Sequence, residues 1–540
     1  MRKLSALALT GAILVLASSC DRKPAEPSKK AELVVGVEND LTNLDPIKSQ
    51  EPYSLRVIGQ IFEGLVTLNS KNELEPALAE KWSPNATFDT WTFEIRKGVF
   101  FHDDDCFGTA RTREVTAQDV VDSFQRIVSK DSYPAFVLAD ALLGVKEFQE
   151  GKAASVSGLR VVGPKTVEMK LQQPEPSFLH RITSPWFTVF PKEAVALGPD
   201  VFGRTKAIGT GPFKLVSRTD NEVVLERNPR YWRPQSGNLE RVSFRVIKNE
   251  QIRFSELKNG NLGLMVLPPA LTPAAIAEGP LPNGTYKLKP GFENFAVRGY
   301  PTFNSHFIGF NCDNLDVHLR RALSLAINRQ EILKTIVQGT GVITSGTVPP
   351  GLLGYQPPYS GDIFDLAKAR EELKQSSFKP ATQKVELLVH EKDSTELLAQ
   401  LIQSQLKQIG VEISIQKLDY NAVVGRMIKG DTQAFALSIE WVFSAPEPIL
   451  NNIFNSAKIP VPNFWHYRNA EVDKRFVELR SVGDRAKANA IAQAIEKQVV
   501  DEAPAAFLYQ THNLLIYRSN IDNASVNGHS IPLLWEARAR

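Results

Sequence analysis

The sequence predicts an α/β protein divided into two or three lobes, and three observations lead there. At 540 residues the chain is longer than a single hydrophobic core organises. Short runs in which apolar and polar residues alternate, the period of a half-buried strand, are interleaved with segments whose apolar residues recur at helical spacing. The 34 prolines and 33 glycines are spread along the whole chain, as many turns require and one disordered tract does not. The net charge is +3 and the basic residues lie among acidic ones, so no nucleic-acid groove is expected.

Residues 1–20 read as a targeting segment. Arg2 and Lys3 precede an uncharged apolar stretch, residues 4–17, that falls short of the ~20 residues a membrane span needs. It ends in Leu16-Ala17-Ser18-Ser19-Cys20, which resembles a bacterial lipobox with its leucine one place early, so Cys20 is expected to carry a lipid. Asp21 directly after it resembles an inner-membrane retention signal. Residues 21–31 are polar and contain prolines, as a tether should. The two remaining cysteines, Cys106 and Cys312, are expected to be isolated thiols, although an extracytoplasmic compartment permits a disulfide.

The elements then follow in order. Residues 32–37 predict an apolar strand, Asn43 to Pro46 a turn, and Leu55, Ile58, Ile61, Phe62 and Leu65 one face of a helix. Residues 63–68 are a short apolar run. Leu74, Leu78 and Trp82 recur at helical spacing, so a short helix is expected to open at Glu75 and Pro76 and to end at Pro84. Trp91, Phe93 and Ile95 alternate with polar residues as a strand, and residues 99–102 resume as a second one. Thr116 is placed as a helix N-cap, with Asp119 closing a capping box. Residues 161–171 form a hairpin around Gly163 and Pro164. Strands at 223–227 and 239–246 precede a helix at 251–260. Residues 307–311 are a buried strand and 317–327 a helix. Strands at 384–389 and 411–416 flank a helix at 397–408. A helix at 486–500 precedes two closing strands, 505–509 and 513–517.

The motifs that carry chemistry are scarce. The eight histidines are scattered, and no HExxH, HxH or CxxC spacing supports a metal site. Asp103, Asp104 and Asp105 lack the spacing of a calcium loop and read as a solvated turn. Gly209-Thr210-Gly211 is followed by proline rather than by a third glycine, so a tight turn is expected and not a nucleotide loop. Ser255-Glu256-Leu257-Lys258 matches the Ser-x-x-Lys of acyl-transferring enzymes, but no companion motif accompanies it.

The order of these pieces is similar to that of the large solute-binding proteins of ABC importers, the family that holds the oligopeptide, dipeptide and nickel receptors. The likeness rests on residues 63–102, running from Glu63-Gly64-Leu65 through Pro76-Ala77-Leu78-Ala79-Glu80-Lys81-Trp82 to His102. It rests also on 115–124, Gly209-Thr210-Gly211-Pro212, Asn228 to Trp232, 307–332, Thr347 to Pro350 and 365–369. It departs after His102-Asp103, where the family has glycine. The resemblance implies a class II, three-lobed periplasmic-binding-protein-like fold of the large peptide-receptor type with a hinged ligand cleft. After the signal (1–20) and tether (21–31), a first lobe would comprise 32–65, 200–281 and 505–540, a second 66–199 and a third 282–504. The implied function is capture of an oligopeptide-like solute and delivery to an ABC permease with ATPase subunits. It implies a monomer that uses no cofactor or metal and performs no catalysis. Its expected place is the periplasm, lipid-anchored to the inner membrane.

By position in the family, Ser49, Gln50 and Glu51 fall in a cleft loop, and residues 438–452 carry the ligand segment. In peptide-binding members a strand there pairs with the ligand backbone, and an aspartate takes the α-ammonium. Here Glu440 replaces a glycine, Trp441 is retained, Val442 follows and Ser444 falls at the aspartate. Alternation would put Ser438, Glu440 and Val442 on one face and Trp441 and Phe443 on the other, with Trp441 as mere core the plainer alternative. Ser444 carries no charge to balance a desolvated ammonium. Either Glu440, Glu447 or Glu51 substitutes, or the solute lacks a free α-amine, and the second is expected. Two rival functions stand beside this one: the same scaffold serving a metal chelate, opine or sugar, and an extracytoplasmic hydrolase resting on Ser255.

Overall fold

The computed structural model describes residues 31–50, 52–281, 284–359, 361–391 and 393–540; the expectations for Cys20 and Glu51 lie outside these residues. A 12-stranded mixed sheet runs through most of the chain. Its path leads from Phe213–Arg218 through Glu222–Arg227, Arg241–Val246, Glu32–Val37 and Leu264–Val266 to Ala505–Arg518. It continues through Asn304–Phe310, Ala434–Glu440 and Val385–His390 to Ile413–Leu418. Phe295–Pro301 and Gly341–Ile343 also pair with Ala505–Arg518.

Ala505–Arg518 is therefore one 14-residue strand, not the two expected. Residues 510–512 fall between those two, but the ladder takes up their backbone: Gln510 pairs with Val342 and Thr511 with Gly341. The Thr511 N–H donates to Asn304 Oδ1 (3.0 Å), and the Asn304 amide donates to Thr511 Oγ1 (2.6 Å). The Thr302 hydroxyl donates to the Thr511 carbonyl (2.8 Å), and His512 N–H to the Thr340 carbonyl (3.1 Å). With its backbone groups satisfied, a polar stretch continues a strand as readily as an apolar one.

A second, antiparallel sheet of four strands is ordered Ala79–Pro84, Thr90–Ile95, Thr166–Lys170, Leu159–Gly163. The helix Ala117–Ile127 packs on it and is capped as expected: Thr116 N–H donates to Asp119 Oδ2 (2.8 Å) and Asp119 N–H to Thr116 Oγ1 (3.4 Å). The helix expected at 74–82 is absent. Leu74–Pro76 pairs with Val66–Leu68, and Ala79–Pro84 pairs with Thr90–Ile95. The intervening N–H groups of Ala77, Leu78 and Ala79 donate to the carbonyls of Leu65 and Gly64. Long-range backbone pairing overrides a helical spacing only three apolar residues long. Residues 99–102 likewise form a single bridge, Phe100 to Glu114, rather than a strand.

The two crossings between the sheets are locked together by close backbone approach. A Cβ at Gly209 would stand 2.2 Å from the Ile61 carbonyl oxygen, and one at Gly211 2.5 Å from that of Gln60, so the Gly-Thr-Gly turn is steric in origin. His102 N–H donates to the Gly209 carbonyl (2.8 Å), and its Nε2 lies 3.0 Å from the Gly211 carbonyl. The buried Glu63 carboxylate accepts from Thr210 Oγ1 (2.8 Å), the Tyr231 hydroxyl (2.9 Å) and Trp232 Nε1 (3.0 Å). Burial raises its pKa despite these donors. The turn before the first helix is held to the four-stranded unit by a forked ion pair, Arg126 to Asp45 (2.6 and 2.7 Å). Such bidentate geometry fixes position as well as charge.

Cys106 and Cys312 are both free. The acidic turn is occupied by its own neighbours: Asp104 accepts from Cys106 N–H (2.8 Å) and from Lys206 (2.9 Å), Lys206 also pairs with Asp105, and Arg230 reaches Asp103 (3.1 Å). Ser255 is exposed on the helix Glu250–Asn259, and Lys258 lies over the Phe292 ring (5.4 Å), an arrangement that sets up no nucleophile.

Candidate functional site

The strand Ala434–Glu440 is the feature on which a site can be built. Along one edge it pairs throughout with Asn304–Phe310, from Phe310 opposite Ala434 to Asn304 opposite Glu440. Along the other, only Ala434 and Phe435 pair, with Leu387 and Leu388. Among the described residues, no strand of the sheet pairs with 437–439 along that edge. Trp441 N–H donates to the Phe303 carbonyl (2.6 Å) on the paired side. Because successive residues of a strand direct their backbone groups to opposite sides, Ser438 and Glu440 direct theirs to the open side. Their side chains are exposed as well.

Trp441 itself points into the core. It is 5% exposed, and its Nε1 donates to Ser305 Oγ (3.1 Å). Phe443 is buried beneath Arg181, 5.3 Å from ring to guanidinium, while Val442 between them is half-buried.

The turn at 43–50 contributes a second side. The Ile47 carbonyl accepts from Tyr133 N–H (2.9 Å), and the Ser49 carbonyl from Trp186 Nε1 (2.9 Å). Ser49 is buried, and among the described residues its hydroxyl has no hydrogen-bond partner; Gln50 is exposed. Tyr53, on the following helix, donates to Glu38, which also takes Arg253 (3.1 Å). Burial, then the Glu38 charge, raise the Tyr53 phenol, and Glu440 adds to the effect. The exposed carboxylate of Glu440 thus lies within electrostatic reach of Tyr53.

Ser444 lies where three stretches of chain meet. Its hydroxyl is fully buried, 2.8 Å from His180 Nδ1 and 3.3 Å from Thr183 Oγ1, and its N–H donates to the His180 carbonyl (3.2 Å). Thr183 Oγ1 is in turn 2.9 Å from His529 Nε2, and the His529 ring meets Phe303 edge-on at 5.1 Å. Burial holds both imidazoles neutral: His180 is lowered to about 4, with Arg485 adding to the effect, and His529 to about 3, with His180 adding. Glu447, the next carboxylate along the chain, is paired with Arg485. Beside this junction is a cavity of ≈ 310 Å³ lined by Glu175, Arg181, Glu447, Asn451, Lys458 and Phe476, among others.

The structure brings Glu440 into reach of the 47–53 segment, but places the Trp441 indole and Ser444 hydroxyl inside. His180, Thr183, His529, Tyr133 and Trp186 were not singled out by sequence. His180 is 264 residues from Ser444, and Thr183 is 346 from His529. No local pattern marks such pairs.

The chain was compared with known proteins. A profile of the bacterial extracellular solute-binding proteins, family 5, matches residues 73–460. Di/tripeptide-binding protein 1 of Pseudomonas aeruginosa is 26% identical over 472 residues, 84% of each chain. The probable deoxycholate-binding periplasmic protein YgiS of Escherichia coli is 25% identical, covering 87% of this chain and 86% of its own. Among solved structures, the periplasmic binding protein DppA of Helicobacter pylori, in complex with the peptide STSA, superposes with a TM-score of 0.74. It is 22% identical and covers 94% of this chain and 98% of its own, a likeness of fold.

The buried histidines predict acid sensitivity. An unfolded chain takes up protons on both imidazoles below the ordinary value of 6.5, whereas the folded one does so only near 4 and 3. The stability they contribute is present above pH 6.5 and is lost as pH falls through this window. His180→Asn with His529→Gln preserves a polar group at Nδ1 and Nε2 respectively and removes the titration. Urea unfolding at pH 7 and pH 4.5 is expected to show a larger loss for the parent than for the double variant; equal losses would contradict the neutral-imidazole assignment.

Proposed function

The chain belongs to family 5 of the bacterial extracellular solute-binding proteins, and on that premise we propose that it captures an oligopeptide-like solute outside the cytoplasmic membrane and delivers it to an ABC-type importer. The observation that carries this reading is the backbone edge at 437–439, unpaired with any strand of the sheet among the described residues and within reach of the 47–53 segment. An extended peptide adds to such an edge through main-chain hydrogen bonds, which bind without regard to side-chain identity. Di/tripeptide binding by the Pseudomonas relative supports it. Capture without turnover is the role, and it needs no cofactor. Three lobes would take part, 32–65 with 200–281 and 505–540, then 66–199, then 282–504, with the chain acting as a monomer. Gln50 and Glu51 would line one wall and Glu440 and Val442 the other, with the buried Ser49, Trp441 and Ser444 supporting them from behind.

The environment of Ser444 supports a solute that does not depend on a free α-amine. Its hydroxyl is already engaged by His180 and Thr183, the nearest imidazoles are neutral, and Glu447 is neutralised by Arg485. A cation buried there would lack a counter-ion, an arrangement that costs several kcal/mol. Glu440 is the described carboxylate on this strand, within electrostatic reach of Tyr53. The same observation favours a second reading, a non-peptide solute on this scaffold, which the deoxycholate-binding relative makes concrete.

Titration calorimetry with free and N-acetylated di- to pentapeptides tests the first reading. Acetylation is expected to change affinity by less than about tenfold, which is ~1.4 kcal/mol. A hundredfold loss that disappears in Glu440→Gln would overturn the amine-independent reading and identify Glu440 as the anchor. Binding of no peptide at all would favour the second reading.

Periplasmic residence with a lipid anchor at Cys20 completes the proposal, since two acyl chains suffice for stable membrane attachment. Cys20→Ala is expected to move the protein from the membrane to the soluble extracytoplasmic fraction. Membrane fractionation unchanged from the parent would refute the anchor.

A further inference from the structure

Three large aromatic side chains are exposed around the proposed cleft, and they come from two sides of it. Tyr133 (42% exposed) and Phe136 (54%) stand with the buried Trp186 in a cluster of mutually T-shaped rings, with centroids 5.5 to 6.4 Å apart. Two backbone groups fix this cluster to the cleft turn: Tyr133 N–H on the Ile47 carbonyl and Trp186 Nε1 on the Ser49 carbonyl. Tyr420 (57% exposed) opens the helix Tyr420–Lys429 from a different part of the chain, directly after its N-cap Asp419. It packs edge-on against His390 at 6.2 Å, and His390 ends the strand next to the open edge. The two sides flank one strand and its continuation: the segment that carries Trp186 meets Phe443 and Ser444 through Arg181, His180 and Thr183, and the strand that ends at His390 pairs with Ala434 and Phe435.

Single exposed apolar residues are ordinary on protein surfaces. Three exposed aromatic rings from two separate segments flanking one strand are a different matter, because together they leave a large apolar area in water. Phe136 and Tyr420 are each held by a neighbouring ring, Phe136 by Trp186 and Tyr420 by His390, and a bulky apolar group would cover them. Their rings lose little conformational entropy on contact, which is why aromatic residues dominate recognition surfaces.

We propose that Tyr133, Phe136 and Tyr420 form a clamp that selects solutes carrying a bulky apolar or aromatic group, held beside the 437–440 edge. The inference rests on the reading of this opening as the solute site and names the side-chain class it prefers. An extended peptide on the edge would direct its alternate side chains toward the clamp. Main-chain pairing would then supply general affinity and the clamp the selectivity.

Calorimetry with trialanine and its single phenylalanine replacements tests the clamp, with deoxycholate as a non-peptide apolar probe. The parent is expected to bind the best phenylalanine peptide at least tenfold more tightly than trialanine. In Phe136→Ala and in Tyr420→Ala, where the exposed sites tolerate truncation, that ratio is expected to fall below threefold. Trp186 fluorescence should change on binding in the parent, since its indole packs against both Tyr133 and Phe136. A parent ratio near one, or a tenfold ratio that survives in both variants, would overturn the clamp. If no peptide binds but deoxycholate does, and each variant weakens it at least threefold, the clamp stands and the peptide reading fails. Binding of neither probe overturns the clamp.

Discussion

The structure depends on one backbone ladder. Ala505–Arg518 pairs with Asn304–Phe310 and Gly341–Ile343 over its first half, and with Phe295–Pro301 and Leu264–Val266 over its second. Fourteen extended residues span roughly 45 Å, so this strand carries the sheet from one region of the protein to the other. Sliding those regions past each other would break a row of hydrogen bonds, each costly to leave unmade. Bending is cheaper. The antiparallel ribbon has a register irregularity between His306 and Phe307, close to the polar interlock of Thr302, Asn304 and Thr511. A hinge there would change the distance between the walls of the opening while keeping the ladder intact.

The sheet also determines what the opening can recognise. One strand, Ala434–Glu440, is paired with a neighbouring strand along only part of one edge, and its end, Glu440, lies within electrostatic reach of Tyr53. Its continuation immediately turns inward. Trp441 and Phe443 enter the core, and Ser444 joins His180, Thr183 and His529 in a neutral, hydrogen-bonded junction of three chain regions. The open edge therefore offers main-chain groups and one carboxylate, while the point beyond it offers no uncompensated charge. Specificity has to come from shape and apolar contact more than from a single ion pair, which agrees with the exposed rings of Tyr133, Phe136 and Tyr420.

Much of this fold was legible in the sequence because its signals are local. The Thr116–Asp119 capping box, the 161–171 hairpin and the glycines at 209 and 211 each follow from residues a few positions apart. The failures share one cause. Leu74, Leu78 and Trp82 fit a helix, and Gln510 to His512 looked like a break, until partners distant in sequence took up their backbone groups. The site was legible only in part. Strand alternation anticipated that Ser438 and Glu440 share a face opposite Trp441 and Phe443, and the first pair is exposed and the second buried. The burial of Ser444 against His180 could not be anticipated, since nothing near residue 444 shows that residue 180 lies beside it.

The central claim is that an extended solute completes the sheet at 437–440. Hydrogen exchange with and without a peptide shown to bind measures this directly. The amide of Ser438, directed to the open side, is expected to exchange at least tenfold more slowly in the complex, with little change at Leu437 and Ile439, already paired to Asn304–Phe310. Unchanged exchange at Ser438 under saturating peptide would contradict the account.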